Sequence, residues 1–213
     1  MEYILNTAKF MLEGSKITLS LYAITMIFSI PIGIIAAIGK ISRFKILRYI
    51  IGLYTWLLRG TPLMLQLFFV YYGLGVWGLR LTSFQAACFT FVLNYAAYFT
   101  EIFRGGIQSI DRGQYEAAHC LGMTSRQTMR RIVIPQAVKR VLPPLSNEAI
   151  TLVKDTALVA SITLSDVTRN ARQVVSRDFN TTAYLLAAIF YLLFTTVVVW
   201  VFRKIENKYG FFN

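Results

Sequence analysis

Three runs of apolar residues in this chain are each long enough to cross a lipid bilayer as a helix. An α-helix rises about 1.5 Å per residue, so roughly 20 apolar residues span the hydrocarbon core. Residues 17–38, 82–103 and 181–202 meet this requirement, in a chain that is 56% hydrophobic and 15% charged. The first run lacks the basic start, short apolar core and cleavage site of a signal peptide, so we expect it to be retained. The sequence therefore predicts an all-α integral membrane protein.

A fourth apolar stretch is interrupted by the residues "RGTP" at positions 59–62. Thr61 can cap a helix, and Pro62 suits the first helical position, where no backbone N–H is required. A helix is therefore expected to begin here and to cross the membrane over residues 62–78. The apolar segment before it is expected to be separate, because proline inside one long helix would break its hydrogen-bond ladder.

Residues 141–165 have the length of a span but carry ionisable side chains, among them Glu148, Lys154 and Asp155. Such charges cost roughly 2.5–3.5 kcal/mol each at the centre of a lipid-facing helix. The stretch is therefore either outside the membrane or a span that is enclosed by other helices and lines water. We favour the second interpretation, which gives one transmembrane domain over residues 1–213 with five spans.

The basic residues predict the orientation of the five spans. With the N-terminus outside and the C-terminus in the cytoplasm, fifteen Lys and Arg residues fall on the inner side and six on the outer side. This distribution agrees with the positive-inside rule. The net charge of +12 is spread over membrane loops, without the basic stripe and interleaved aromatic residues of a nucleic-acid binder. The loop 104–140 is predicted to be cytoplasmic.

That cytoplasmic loop contains the sequence "EAAHCLGMTSRQTMRRIVIP", residues 116–135. It predicts a short helix with Ala117 and Ala118 on its surface, ended by Gly122, which tolerates the backbone angles of a helix end. A second helix is expected to follow, with Ser125 as its cap and with Pro135 ending or redirecting it. By local pattern alone, the pair is either a docking lever that projects from the bundle or an ordinary solvated loop.

The same segment resembles the signature loop of ABC importer permease subunits. The residues that carry the resemblance are Glu116, Ala117, Ala118, Gly122, Ile132, Ile134 and Pro135. The stretches "RGTPLMLQLFFVYYGL", "AAYFTEIFRGGI" and "LSNEAITLVKDTALV" are similar to segments of one branch, the polar amino acid permeases, and so is the start at Gly14, Thr18 and Leu19. Ala157 departs from that branch, which often has Ser there, and this bears on the substrate and not on the class.

The resemblance implies a type I ABC importer transmembrane fold, in the inner (cytoplasmic) membrane of a bacterium. Two permeases, either two copies of this chain or this chain with a related one, would form the pathway. Two ATPase subunits would lie below them and an extracytoplasmic amino-acid-binding protein above. The helix opened by Glu116 would be the coupling helix that sits in a groove of the ATPase. The implied coupling residues are Glu116, Ala117, Ala118, Gly122, Ile132 and Pro135.

The sequence predicts no enzymatic activity for the chain itself. Gly33, Gly39 and Lys40 superficially resemble a phosphate-binding loop, but five residues separate the glycines instead of four, and Ile41 replaces the Ser or Thr. His119 is the only histidine and has no companion ligands. We therefore expect no catalytic residue, no metal site and no cofactor bound by this chain, with ATP and Mg bound by the partner ATPase.

Polar residues recur at helical spacing on the predicted spans and mark a candidate substrate path. The candidates are Gln66, Asn94, Tyr98, Glu101, Thr151, Lys154, Asp155 and Asp166, with Glu148 on the same face of its span as Thr151 and Asp155. Two alternatives stay open. Glu101 would merely pair with Arg104 at the inner boundary, and Asn94 or Gln66 would only bond a neighbouring helix.

The same polar faces predict the charge of the substrate. They contain several carboxylates but few cations beyond Lys154, and a carboxylate in a low-dielectric cavity is stabilised by an opposite charge. We therefore expect a basic amino acid, such as arginine, lysine or histidine, in preference to glutamine, glutamate or cystine. Lys154 or a helix N-terminus would bind its α-carboxylate. The alternative function is a membrane channel or structural protein without ATPase partners.

Overall fold

The computed structural model describes residues 2–209, and all the regular structure in that range is helical. The helices are α1 (Glu2–Ile41), α2 (Lys45–Gly60), α3 (Leu63–Phe68), α4 (Ser83–Gln108), α5 (Arg112–Cys120), α6 (Ser125–Thr128), α7 (Ile134–Asp155), α8 (Val167–Asp178) and α9 (Thr182–Tyr209). Helix α3 continues through a π-helical turn, Phe69–Gly73, and a 3-10 turn, Leu74–Trp77. A second π-helical turn, Met129–Val133, joins α6 to α7, and a 3-10 turn, Thr156–Ile162, extends α7. The predicted all-α class is confirmed.

The centre of the bundle is the contact between α1 and α4. Gly33 allows a close approach of the two backbones, because a β-carbon at this position would lie 2.7 Å from the β-carbon of Phe99. Phe91 and Tyr95 stack beside this contact with their ring centroids 6.4 Å apart, and both are buried with Leu21. Since lipid tails are as apolar as these side chains, close packing at small residues stabilises the association of the two helices.

Three helices in residues 2–209 are long and apolar enough to cross a membrane, namely α1, α4 and the part of α9 from Thr182 to Lys208. They overlap the predicted spans 17–38, 82–103 and 181–202. The predicted span 62–78 corresponds to a shorter apolar helical stretch, Leu63–Trp77. The predicted span 141–165 corresponds to the second half of α7 with the 3-10 turn after it. These last two remain predictions as membrane spans.

Helix α3 begins differently from the prediction. Pro62 is the N-cap, and its carbonyl accepts hydrogen bonds from the N–H groups of Leu65 (3.0 Å) and Gln66 (3.2 Å). Thr61 does not cap α3; its hydroxyl donates to the carbonyl of Leu57 (2.8 Å) at the end of α2 and accepts from the side chain of Gln66, not from a backbone N–H of α3. The last carbonyls of a helix lack intrahelical partners, so they compete for a hydroxyl that follows closely in the chain. The predicted roles of Thr61 and Pro62 are therefore wrong by one position.

Helix α8 packs tightly across the N-terminal part of α1. A β-carbon at Gly14 would lie 2.7 Å from the carbonyl carbon of Asp166, so only glycine permits this approach. The side-chain amide of Asn170 donates from Nδ2 to the carbonyl of Phe10 (2.7 Å). The glycine that carried part of the family resemblance therefore has a packing role at the junction of α1 and α8.

Candidate functional site

The predicted coupling helix, α5, is held at both ends by local hydrogen bonds. At its start, the carboxylate of Asp111 accepts a hydrogen bond from the N–H of Gly113 (2.7 Å). At its end, Gly122 has a φ of +72°, and its N–H donates to the carbonyl of His119 (2.9 Å). The N–H of the residue after Gly122 donates to the carbonyl of Ala118 (3.0 Å), which completes a Schellman-type helix end. The predicted helix end at Gly122 is confirmed.

The second helix of the loop is capped by a different residue from the one predicted. The hydroxyl of Thr124 accepts from the N–H of Gln127 (3.4 Å), and the side chain of Gln127 accepts from the N–H of Thr124 (2.9 Å). These reciprocal bonds form a capping box, which leaves Ser125 as the first helical residue. The prediction of Ser125 as the cap is wrong because a threonine one position earlier has its glutamine partner at the required spacing.

Pro135 does not end the second helix, so the first of the two predicted alternatives, ending or redirecting it, is wrong. It lies in the first turn of α7, directly after the π-helical turn Met129–Val133, and the helix runs on to Asp155. The N–H of Ile134 donates to the carbonyl of Met129, five residues back. A proline removes one backbone donor and clashes with the preceding turn, and the wider π-helical turn accommodates both effects. Helices α6 and α7, the second of which enters the predicted span 141–165, therefore form one nearly continuous rod.

We call α5, α6 and the turn between them the loop helix pair. Glu116 and Ala117 are exposed on α5, whereas Ala118 is only 1% exposed. The prediction of a surface position is therefore correct for Ala117 and wrong for Ala118, whose side chain lies inside the fold. Of the remaining coupling candidates, Ile132 is half-buried and Pro135 is exposed.

The loop helix pair is joined to the ends of α4 and α7. Gln136 of α7 donates from its side-chain amide to the side chain of Gln114 in α5 (3.3 Å). The guanidinium of Arg140, also in α7, donates to the carbonyl of Ser109, which lies between α4 and α5. A small apolar cluster of buried Ile110, Val133 and Ala137 lies beside these bonds, with partly buried Ile107, Tyr115 and Met129 packed against it. The pair is thus attached to the bundle through packed side chains, while Glu116 and Ala117 remain accessible.

Two of the substrate-path candidates, Gln66 and Asn94, contact each other. Asn94 donates from Nδ2 to the side-chain oxygen of Gln66 (2.9 Å) and to the carbonyl of Leu58 (2.9 Å). Gln66 donates to the same carbonyl of Leu58 (2.8 Å) and to Thr61 Oγ1 (2.8 Å). The alternative that these amides bond neighbouring segments is therefore realised, since they join the end of α2 to α3 and α4.

Glu101 lies in a cluster of three cations, which we call the Glu101 cluster. Arg104 donates to Glu101 Oε2 from Nε (2.9 Å) and Nη2 (2.7 Å), and Lys40 donates to Oε1. Arg59 lies 4.0 Å from Oε2. The open alternative of a pair with Arg104 is thus present, and two more cations come from helices α1 and α2. No local pattern relates Lys40 to a residue 61 positions later, so the sequence does not predict the contact between Lys40 and Glu101.

The other acidic candidates are not in the Glu101 cluster. Asp155 accepts a hydrogen bond from the hydroxyl of buried Tyr95 (2.7 Å). Glu148 is half-buried and lies seven residues before Asp155, two turns earlier on the same face of α7. Among residues 2–209, no Lys or Arg forms an ion pair within 4.0 Å of Glu148 or Asp155. Arg59 also lies over the ring of Tyr98, with 5.2 Å between the guanidinium carbon and the ring centroid.

Three candidates have other surroundings. Asp166 is fully buried and caps α8, accepting from the N–H groups of Thr168 (3.1 Å) and Arg169 (2.9 Å). Its carboxylate is thereby occupied by backbone donors. Lys154 is exposed, and the hydroxyl of Thr151 donates to the carbonyl four residues earlier in α7 (3.0 Å).

A groove of about 400 Å³ lies between the end of α2, the α3 segment and α4. Its walls are mainly apolar, and Gln66, Thr61 and Thr90 are its polar members. Within residues 2–209, no group of three or more His, Cys, Asp or Glu side chains could hold a metal ion. Cys88 and Cys120 are free thiols.

This arrangement matches solved membrane transporters. The chain superposes with a TM-score of 0.90 and 33% identity on an amino acid ABC transporter crystallised with histidines, over 97% of both chains. A methionine ABC transporter in an inward-facing conformation gives a TM-score of 0.71 at 17% identity, over 92% of this chain and 93% of that one, which shows the fold alone. The bundle therefore has the type I permease fold of ABC importers.

The sequence comparison gives the family. Residues 29–210 match the family described as binding-protein-dependent transport system inner membrane component, and the chain belongs to this family. It is 39% identical to the arginine transport system permease protein ArtQ of Bacillus subtilis (strain 168), over 93% of this chain and 92% of that protein. It is 35% identical to the putative glutamine transport system permease protein GlnP of Rickettsia bellii (strain RML369-C), over 93% and 92% respectively.

A third relative is the L-cystine transport system permease protein TcyB of Bacillus subtilis (strain 168), which is 34% identical over 92% of this chain and 84% of that protein. The resemblance to amino acid ABC permeases is thus confirmed. The prediction that the chain is a membrane protein is confirmed as well. In this family the ATPase activity belongs to separate subunits, and the permeases work with those subunits and a binding protein. The named substrates of the three relatives differ in charge, so the comparisons leave the amino acid unresolved.

Proposed function

We propose that this chain is the membrane subunit of an ATP-driven importer for a polar, preferably basic, amino acid. It would cross the membrane five times, with its N-terminus outside and its C-terminus in the cytoplasm. Residues Glu116, Ala117, Gly122 and the rod that begins at Thr124 would couple it to the ATPase. The observation that carries this proposal is the loop helix pair, which is capped at each helix start, packed onto α4 and α7, and exposed at Glu116 and Ala117.

The proposed coupling follows from the rigidity of this attachment. A helix that is held at both ends moves as a body when a partner pushes on it, and the continuous rod from α6 through α7 carries that motion towards the proposed substrate path. Two ATPase subunits, which would bind ATP and Mg, would supply the motion. A second permease, identical or related, and an extracytoplasmic amino-acid-binding protein would complete the assembly.

The preference for a basic amino acid has a different support from the one predicted. Lys40, Arg59 and Arg104 compensate the charge of Glu101, so this carboxylate does not require a cationic substrate. Glu148 and Asp155 have no ion-paired cation in the described part of the chain, and their carboxylates are not occupied by backbone donors as that of Asp166 is. Their spacing of seven residues places them on the same face of α7. A positively charged side chain of the substrate would offset their charge where water is scarce.

The coupling role is tested by placing a bulky side chain on the exposed face of α5. Ala117→Trp should reduce uptake by the reconstituted transporter at least tenfold and reduce copurification of the ATPase, because the indole prevents the helix from seating. Ala188→Trp, at an exposed alanine of α9, is the matched control and should retain both. Normal uptake by the Ala117→Trp transporter would remove the coupling role from α5.

The substrate preference is tested by uptake of labelled arginine, lysine, histidine, glutamine, glutamate and cystine. We expect the basic amino acids to be taken up best, and Glu148→Gln to reduce their uptake more than that of glutamine. Glu13→Gln, at an exposed position of α1, is the control and should change neither. Equal losses for arginine and glutamine would contradict the basic preference while leaving amino acid transport itself intact.

A further inference from the structure

We propose that Arg59 binds the α-carboxylate of the transported amino acid and that Glu101 is a positioning residue for it. This inference rests on the proposed function and names the residue that recognises the part common to all amino acid substrates. Its basis is the geometry of the Glu101 cluster, in which the three cations do not have equal roles.

Two of the three cations saturate Glu101. Lys40 donates to Oε1 and also to the hydroxyl of Thr55 (2.6 Å), so its ammonium group is fixed between α2 and α4. Arg104 donates twice to Oε2, from Nε and Nη2, and once more to Gln108. Both carboxylate oxygens thus have strong, charge-assisted donors before Arg59 is considered.

Arg59 is held near this carboxylate without being bonded to it. Its Nη1 lies 4.0 Å from Glu101 Oε2, beyond hydrogen-bond distance, and its side chain is 42% exposed. The ring of Tyr98 supports the guanidinium from one face, with 5.2 Å between the guanidinium carbon and the ring centroid. Among residues 2–209, no acceptor forms a hydrogen bond with this guanidinium. Its five N–H donors are therefore available to a ligand.

The charges of the cluster favour an anion at this position. Three cations surround one carboxylate, which leaves an excess of positive charge, and Arg59 is the most exposed of the three. A guanidinium presents a planar pair of N–H donors that matches the two oxygens of a carboxylate. Glu148, an acidic residue of α7 with no ion-paired cation among residues 2–209, would supply the opposite charge for the α-amino group or a basic side chain. A zwitterionic amino acid would thus find a cation for its carboxylate and a carboxylate for its amino group.

This assignment differs from the sequence-based expectation for the same group. Lys154 or a helix N-terminus was the expected partner of the α-carboxylate, and the side chain of Lys154 is exposed near the end of α7. Arg59 belongs to the last turn of α2, where the residues "RGTP" end the helix. The end of a helix aims this side chain back over α4, next to Tyr98 and Glu101, and Lys154 has no such neighbours.

The test compares amino acids with analogues that lack only the negative charge of the α-carboxylate. Binding of L-arginine and L-argininamide, and of L-glutamine and L-glutaminamide, is measured on the purified permease–ATPase complex without the binding protein. We expect the complex to bind at least one of the two amino acids at least tenfold more tightly than its amide. Arg59→Gln should abolish this difference, and Arg59→Lys should retain part of it, because lysine keeps the charge but lacks the planar pair of donors. Arg48→Gln, at an exposed arginine of the same helix, is the matched control.

Glu101 is tested by the same difference in affinity. Glu101→Gln should reduce the preference for the acid over the amide, and Glu101→Asp should restore part of it, which a purely structural role would not produce. If these variants do not fold, the unsubstituted chain offers a second measurement. Phenylglyoxal should modify Arg59, and bound amino acid, but not its amide, should protect Arg59 from this reaction.

The assignment is overturned if Arg59→Gln weakens the binding of acid and amide equally, or if the unmodified complex binds both equally or neither. Failure of the proposed function is distinguishable from this outcome. In that case the complete transporter, with its binding protein, takes up none of the amino acids. A complex that prefers glutamine but still discriminates against its amide supports Arg59 and contradicts only the basic preference.

Discussion

Two adjacent glycines at the end of α4 allow a test of how tightly α4 packs against α7, the helix that continues from the loop helix pair. Gly105 and Gly106 follow each other in the same helix, but a β-carbon would meet nothing within 4 Å at Gly105. At Gly106 it would lie 2.2 Å from Cγ2 of Val141 and 3.4 Å from the carbonyl oxygen of Ala137. Valine has one strongly preferred rotamer in a helix, so Val141 cannot readily turn away.

The expected magnitudes follow from this difference. Gly→Ala inside a helix stabilises by roughly 0.5–1 kcal/mol through backbone entropy, and this gain is common to both positions. Overpacking of a tight contact costs about 1–3 kcal/mol, and it applies only to Gly106→Ala. We therefore expect the free energy of unfolding of Gly106→Ala to lie about 1–3 kcal/mol below that of Gly105→Ala. The propensity contribution cancels in that comparison.

The assay is reversible denaturation of the purified permease in mixed micelles, with five proteins: the unsubstituted chain, Gly105→Ala, Gly106→Ala, Val141→Ala and the double variant Gly106→Ala/Val141→Ala. Removing the two methyl groups of Val141 should make Gly106→Ala much less costly, so that the double-mutant cycle gives a coupling energy close to the overpacking cost. If Gly106→Ala is as stable as Gly105→Ala, α4 and α7 are not tightly packed at this contact, and the rigid connection between α4 and the rod formed by α6 and α7 is refuted.

Three further predictions concern the loop helix pair and the orientation of the chain. Gly122→Ala should lower the free energy of unfolding by about 1 kcal/mol because of the positive φ at this position, and Gly122→Asn by less, as measured in the same micelles. Thr124→Val should lose its capping box and about 0.5–2 kcal/mol, whereas Thr128→Val, which has no capping role, should lose less; equal losses would exclude the cap as the cause. In intact cells, a membrane-impermeant thiol reagent should label Phe179→Cys and not Ser125→Cys, and labelling of Ser125→Cys would reverse the proposed orientation.

The amino-acid sequence by itself determined the features that depend on neighbouring residues. Long apolar runs predicted the helices α1, α4 and α9, since a bilayer requires each crossing to bury its backbone within one continuous segment. Gly122 predicted the end of α5, because a positive φ is a property of one residue and its immediate turn. The spacing of the loop motif was sufficient to recognise the family, to which residues 29–210 belong.

The tertiary structure alone decided which distant groups meet. Glu101 was expected either to face a cationic substrate or to pair with Arg104, and Lys40 from α1 and Arg59 from α2 lie beside it as well. Asp166 belonged to the predicted path by composition, but it caps α8 beneath Gly14. Charged side chains in an apolar bundle must find partners, and which partner each one finds depends on the approach and rotation of the helices. Those variables are set by contacts between residues far apart in the chain, so no local pattern encodes them.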